Sequence, residues 1–103
     1  MESLESICFE IISYVGTARS LYIEAIREAR KGNFDNSLKL IDEGNENFNK
    51  GHNAHSKLIF NEANGELEKV SLILIHAEDQ LMSAESFKIL SLEFVELYKS
   101  IKC

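Results

Sequence analysis

Two short segments rich in Gly and Asn divide a chain that contains no proline. Proline is absent from all 103 residues and glycine occurs only five times, so helices can run long without interruption. The segments 31–33 and 63–66 each break a helical pattern and leave three stretches of roughly 30 residues. Because short joints between long helices make neighbours antiparallel, the sequence predicts an all-α, antiparallel, up-down-up three-helix bundle. We expect a single domain over residues 1–103.

Apolar residues recur at steps of three and four in each stretch, which is typical of a helix with one face toward a core. The first stripe consists of Leu4, Cys8, Ile11, Val15, Ala18, Tyr22, Ala25 and Ala29. The second stretch, with Asn33 as its expected N-cap, has Phe34, Leu38, Ile41, Asn45, Phe48, His52, His55 and Ile59. The third, capped by Ser71, has Ile73, His76, Gln80, Ser83, Phe87, Leu90, Phe94, Leu97 and Ile101.

The third stretch carries a second apolar line, here called the outer seam, which a three-helix monomer does not need. The outer seam consists of Leu72, Ile75, Asp79, Met82, Ser86 and Ile89. A helix with two such lines favours self-association in parallel register. In the first stretch, Gly16 lies inside the predicted helix, where glycine is unfavourable. It either permits close approach of another group or is a tolerated surface glycine.

Charge and hydropathy narrow the partners and the compartment. Eleven Lys and Arg against 17 Asp and Glu give a net charge of −6, which argues against nucleic acid and leaves a protein or a small molecule as partner. The first residues lack a basic segment followed by a small-residue cleavage site. The longest apolar run, 72–75, is far too short to span a bilayer. We therefore expect a cytoplasmic protein.

His76 is the first candidate for chemistry. Asp79 and Gln80 follow it at helical spacing, so both can flank the imidazole. A neutral imidazole is a competent phosphoryl acceptor, and an amide such as Gln80 can donate to phosphate oxygens. The spacing alone is equally compatible with a structural histidine on an apolar stripe.

Asp79 is the only carboxylate on the outer seam, and its charge needs an explanation. It can pair with Arg or Lys, lie exposed, or share a metal ion. Three copies around a threefold axis would gather three carboxylates, which need a cation such as Mg²⁺ or Ca²⁺. His52 and His55 have a permissive spacing for a metal site with His76, but they lie in no recognised metal motif and fit an interface or core role better.

Five segments resemble the lactose/cellobiose-type IIA component of the bacterial sugar phosphotransferase system. The pattern FEIISYVGTARS at 9–20 resembles the first-helix signature of that family, and AIREARKGNF at 25–34 resembles its first joint. HNAH at 52–55 is similar to the end of its second helix. IHAEDQLM at 75–82 resembles the motif around its phosphorylated histidine, and the segment 92–99 resembles its tail. The resemblance covers nearly the whole chain in order.

The resemblance implies a homotrimer of three-helix subunits that forms a nine-helix bundle. It implies a phosphocarrier that accepts a phosphoryl group from the carrier HPr and passes it to a cysteine of the IIB component, while sugar enters through IIC. Contact with the membrane is then only indirect, through IIC. Carried over residue by residue, the phosphorylated histidine is His76 and the ligand of a structural Mg²⁺ on the trimer axis is Asp79. The sugar is not specified by IIA, which does not contact it.

Two positions depart from the family motif. Gln normally stands where this chain has Glu78, and His normally stands where it has Gln80. Glu78 lies two residues from His76 and is expected to point away from its ring. Gln80 lies beside His76; it keeps hydrogen-bonding capacity but loses any positive charge near a phosphoryl group. The alternative function is therefore a non-catalytic helical interaction module that keeps the bundle without the relay.

Overall fold

Three antiparallel α-helices form the protein, as the sequence predicts. The computed structural model describes residues 3–67 and 69–101. Helix α1 runs Leu4–Arg30, α2 runs Phe34–Ala63 and α3 runs Leu72–Ile101. They pack into a rod of 55 × 19 × 18 Å. Helix α1 contacts both α2 and α3 more extensively than those two contact each other, so α1 is the central element of the fold.

The helices begin and end close to the predicted boundaries, with one difference in capping. The Ser71 hydroxyl accepts a hydrogen bond from the Leu74 amide at 3.3 Å, which confirms the expected cap of α3. Asn33 is the N-cap residue of α2, as predicted, but its side chain makes no capping hydrogen bond to the first turn. Its amide nitrogen instead donates to Glu28 Oε1 at 3.3 Å. Gly32 and Gly65 in the joints have φ values of +89° and +73°, which favour glycine.

The stripe predicted for α1 is its core face. Every member except the half-buried Leu4 is buried, and Ile11, Val15 and Tyr22 are completely inaccessible to solvent. The Tyr22 hydroxyl donates to Asn45 Oδ1 at 2.7 Å, which satisfies its one polar atom. Helix α1 therefore supplies the largest fully buried side chains of the core.

The stripe predicted for α2 is wrong for most of its members. Only Ile41 and Phe48 are buried, and the true core face consists of Ser37, Ile41, Gly44, Phe48, Gly51, Ala54 and Leu58. The reason is the bulk that α1 contributes. A Cβ at Gly44 would lie 2.7 Å from the Tyr22 ring, and one at Gly51 would lie 2.5 Å from Val15 Cγ1. Small residues on α2 are what lets these two helices approach closely.

The stripe predicted for α3 is also wrong as a core face. The buried residues of α3 are Leu74, Ala77, Leu81, Ala84, Ser91 and Val95. The predicted stripe instead flanks this face, with Ile73, Gln80, Ser83 and Phe87 half-buried and His76, Leu90, Phe94, Leu97 and Ile101 exposed. Three of these buried residues, Ala77, Ala84 and Ser91, are small, so hydrophobic bulk alone does not mark the core face of α3.

The outer seam of α3 faces away from the bundle. Leu72 is 82% exposed and Met82 is 66% exposed, and Asp79 and Ser86 are exposed as well. A single chain thus leaves this apolar line uncovered. No helix in the described ranges is long and apolar enough to cross a membrane.

Candidate functional site

His76 lies in the second turn of α3, four residues after the helix begins at Leu72. The Ser71 cap fixes where the helix starts. His76 lies seven residues before Ser83, which accepts a hydrogen bond from Arg19 of α1, so helical geometry places it on the side of α3 nearer α1. The ring is exposed. No side chain in the described part of the chain forms a hydrogen bond with it. An exposed imidazole with both nitrogens unoccupied is accessible to a partner protein.

Asp79 and Gln80 lie one turn farther along α3. Asp79 is exposed and Gln80 is half-buried. Neither forms a hydrogen bond or an ion pair with another residue of the described ranges. Of the three explanations open for Asp79, pairing with Arg or Lys within one chain therefore does not occur among these residues. The protomer leaves the Asp79 carboxylate and the Gln80 amide available for groups outside it.

A hydrogen bond between α2 and α3 borders the site, and the sequence does not predict it. His55 Nε2 lies 2.6 Å from Glu78 Oε1, and the His55 side chain is largely buried. The contact holds Glu78 toward α2, away from the flank that carries His76, as its spacing predicts. Helical spacing within α3 indicates which way Glu78 points. It does not indicate which residue of α2 lies opposite, because that depends on the register between two helices.

The carboxylate of Glu78 also affects the buried end of α1. The pKa of the Cys8 thiol is raised, mainly by burial and further by the negative charges of Glu78 and Glu5. A buried thiol with a raised pKa is a poor nucleophile. Cys8 is a core residue, as predicted, and it offers no second acceptor beside His76.

An open groove lies between the end of α2 and the start of α3. It has a volume of about 420 Å³ and is lined by Leu58, Ile59, Glu62, Leu67, Val70, Leu74, Ile75 and Glu78. The lining is mostly apolar with two carboxylates. Ile75 joins this groove to His76, so the surface beside the imidazole is apolar rather than basic.

Metal binding within one chain is not supported. No group of three or more His, Cys, Asp or Glu residues that could hold a metal occurs within residues 3–67 and 69–101. His52, His55 and His76 therefore do not form a metal site. Asp79 supplies one carboxylate per chain, so a site built on it requires ligands from other copies.

Comparison with known proteins places the chain in a family. Residues 6–99 match the family described as the lactose/cellobiose-specific IIA subunit of the phosphotransferase system. The lichenan-specific phosphotransferase enzyme IIA component of Bacillus subtilis is 38% identical over 100 residues, which cover 97% of this chain and 91% of that protein. The lactose-specific EIIA component of Staphylococcus epidermidis is 37% identical and covers 95% of this chain and 94% of its own length.

Solved structures agree. The cellobiose-specific enzyme IIA of Bacillus anthracis has a TM-score of 0.92 and 36% identity, covering 99% of this chain and 94% of its own. The diacetylchitobiose IIA of Escherichia coli, solved in complex with HPr, has a TM-score of 0.85 and 33% identity, with both chains covered completely. These likenesses define a component of a bacterial sugar phosphotransferase system. The chain belongs to the lactose/cellobiose-specific IIA family of that system, and its role is therefore phosphoryl transfer in sugar uptake.

Proposed function

We propose that this protein is a phosphocarrier that accepts a phosphoryl group from phosphorylated HPr on His76 and passes it to the cysteine of a IIB component. The observation that carries the proposal is the position of His76 in the family motif together with its exposure and unoccupied ring nitrogens. The diacetylchitobiose relative solved with HPr supports HPr as the donor.

The chemistry requires little of the protein beyond presentation of the ring. The lone pair of a neutral imidazole nitrogen attacks the phosphorus, a new N–P bond forms, and the bond to the donor breaks. In the second step the IIB thiolate attacks the same phosphorus and His76 leaves. Gln80, one turn along on the same side of α3, is placed to donate from its amide to phosphate oxygens. It is a neutral substitute for the histidine that is usual in the family.

We further propose that the working form is a homotrimer with Mg²⁺ held by one Asp79 from each subunit. The exposed outer seam supplies an apolar surface for the association. Asp79 fits the metal because carboxylate oxygens are the ligands that Mg²⁺ prefers, and its carboxylate is outward-facing and unpaired in the described residues. When bound, the ion would supply charge neutralisation for three neighbouring carboxylates.

The test is incubation with enzyme I, HPr and phosphoenolpyruvate, followed by measurement of intact mass. We expect the mass of one acid-labile phosphoryl group per subunit, and His76→Ala should abolish it while the helical circular dichroism is kept. His52→Ala is the matched control, since His52 is also an exposed histidine, and it should accept normally. Labelling that persists in His76→Ala and maps to His52 or His55 would contradict the assignment.

The second candidate is a non-catalytic helical interaction module, and the departure at Gln80 is what favours it. A module of this kind would associate normally but remain unphosphorylated under conditions in which a control IIA is fully labelled. Restoring histidine by Gln80→His separates the two cases. A gain from no transfer to measurable transfer would identify Gln80 as the residue that disables the relay.

A further inference from the structure

Gly16 lies in the interior of α1 with no contact in its own chain that explains it. A Cβ built on Gly16 meets nothing within 4 Å, whereas at Gly44 and Gly51 it would collide with side chains of α1. Gly16 also has no positive φ that would favour glycine. Since glycine is an unfavourable residue inside a helix, the space that it leaves is available to something outside the protomer.

The neighbours of Gly16 on the same side of α1 are exposed and unpaired. Phe9, seven residues earlier, is 60% exposed, and Arg27, eleven residues later, is exposed without an ion pair in the described ranges. We call Phe9, Gly16 and Arg27 the Gly16 face. It combines an exposed aromatic ring, an open space and a cation on one side of a helix.

Contacts between α1 and α3 fix which residues lie at the same height along the rod. The two helices are parallel, and Arg30 lines one depression with Tyr98 and Ile101. Counting back along both helices places Gly16 at about the height of Ser86. The same count places Arg27 at about the height of Glu96. Arg19 Nη1 donates to Ser83 Oγ at 3.3 Å; this count puts Ser83 about five residues before the level of Arg19, roughly 7.5 Å along the axis, a distance that an extended arginine side chain spans.

The outer seam of α3 has the chemistry that complements the Gly16 face at these heights. Ile75, Met82 and Ile89 follow one another at steps of seven and are each more than half exposed. One further step of seven reaches Glu96, which is exposed and has no ion pair in the described residues. Ser86, the small residue of the seam, lies at the height where α1 has no side chain.

We propose that the Gly16 face is the surface on which α3 of a second copy packs, with Gly16 opposite Ser86 and Arg27 paired with Glu96 of that copy. A rotation about an axis along the rod leaves every residue at its own height, so the matches within one chain become matches between neighbours. Because α1 of one copy meets α3 of the next, the contact is heterologous, and in the proposed trimer it repeats three times around the axis. The inference rests on the proposed trimer and specifies its contact surface.

Charge reversal tests the pair. In sedimentation equilibrium, Arg27→Glu and Glu96→Arg should each raise the trimer dissociation constant by about a hundredfold, from roughly fivefold at each of three contacts. The double variant Arg27→Glu/Glu96→Arg should recover most of the wild-type constant. Arg27→Glu/Glu46→Arg is the control, because Glu46 is exposed on α2 and lies on neither surface; it should not recover. Equal recovery in both double variants would overturn the pairing.

Substitution at Gly16 tests the close approach. Gly16→Leu fills the open space without a clash inside the protomer, so the helical signal should be unchanged while trimers dissociate. Thr17→Leu is the matched control, since Thr17 is exposed on the adjacent side of α1, and it should associate normally. Unaltered association of Gly16→Leu would contradict the proposal.

Failure of this contact surface can be distinguished from failure of the proposed phosphoryl transfer. If wild-type protein forms trimers and accepts one phosphoryl group, but neither the charge reversal nor Gly16→Leu affects association, the surface inference is wrong and the phosphocarrier proposal stands. A wild-type protein that sediments only as a monomer would overturn the surface and the trimer together. Phosphorylation of His76, measured on the same sample, would still test the relay by itself.

Discussion

Helices α1 and α3 are nearly equal in length and both are rich in apolar residues, but they differ in whether the large apolar side chains face the core or the solvent. In α1 the large apolar side chains of the stripe point inward and are buried. In α3 half of the six buried residues are Ala or Ser, and large side chains such as Leu72, Met82 and Ile101 point outward. The difference separates two tasks. Helix α1 holds the protomer together, and α3 leaves an apolar surface uncovered and carries His76.

The largest expected effect comes from truncating Tyr22, a completely buried residue of α1. It tests whether α1 rather than α3 stabilises the protomer. Tyr22→Ala should lower the free energy of unfolding by about 3–5 kcal/mol, because it removes an aromatic side chain from a packed core. Urea denaturation followed by circular dichroism measures it. Met82→Ala, on the exposed side of α3, is the comparison and should cost less than 1 kcal/mol in the dissociated protomer. Equal costs would refute the division.

Tyr22→Phe refines the same test through pH. Burial raises the pKa of Tyr22 to about 12 from an ordinary value of 10.0. Because the pKa is higher in the folded state, the buried neutral hydroxyl stabilises the fold fully below pH 10. This stabilisation is lost as pH rises through 12. The wild-type free energy of unfolding should therefore fall across that range. Tyr22→Phe should lack this component, and an unchanged alkaline slope would contradict it.

Metal removal probes α3, whose outward Asp79 carboxylate is proposed to hold Mg²⁺ in the trimer. Binding of Mg²⁺ to the trimer alone should stabilise it by about 2.7 kcal/mol at a hundredfold excess over the dissociation constant. Chelation should accordingly lower the melting temperature of wild type. Asp79→Leu should melt at an equal or higher temperature than wild type and be insensitive to chelator, because apolar packing replaces converging charges. It should still accept phosphate on His76. Wild-type melting that ignores chelators would remove Asp79 as an axial ligand.

A pair of glycine substitutions compares the two sides of α1: Gly44 of α2 packs against its buried side, and Gly16 lies on its outer side. Gly44→Ala places a Cβ 2.7 Å from the Tyr22 ring and should cost about 1–3 kcal/mol through overpacking. Gly16→Ala meets nothing and should add about 0.5–1 kcal/mol through helix propensity. Both belong in an Arg27→Glu background, so that association contributes little. Stability changes of the same sign would show that the two glycines do not differ in the way described.

The smallest effect concerns Glu28 at the first joint. Hydrogen bonds from Asn36, Lys31 and Asn33 lower the pKa of its carboxyl from 4.5. A lowered pKa means that its contribution is present above pH 4.5 and is lost as pH falls through the folded-state pKa. Glu28→Gln should flatten the acid side of the stability profile. If acid titration of unfolding is identical in both proteins, these hydrogen bonds carry no net stability.

The sequence was sufficient for the helices and the joints, and for the buried face of α1 apart from Leu4, which is half-buried, and Ile7, which is buried but absent from the stripe. It was insufficient for the core faces of α2 and α3, because hydrophobicity marks a buried face only when bulky residues fill it. Here Tyr22 and Val15 fill the space, so Gly44, Gly51 and Ala84 mark the buried faces instead. Motif resemblance indicated His76. The His55–Glu78 contact required the register between helices, which no pattern within one helix contains.

The start of α3 at Leu72 has an electrostatic consequence for the group that His76 is proposed to carry. The amides of the first turn have no partner within the helix and give its beginning a partial positive charge. Side chains lean toward that end, so the imidazole of His76 extends over the preceding turn. In a chain of net charge −6, this positive end of the backbone lies near the proposed phosphoryl group. That partial charge would favour the anionic group electrostatically, while the covalent N–P bond alone would hold it until the next nucleophile attacks.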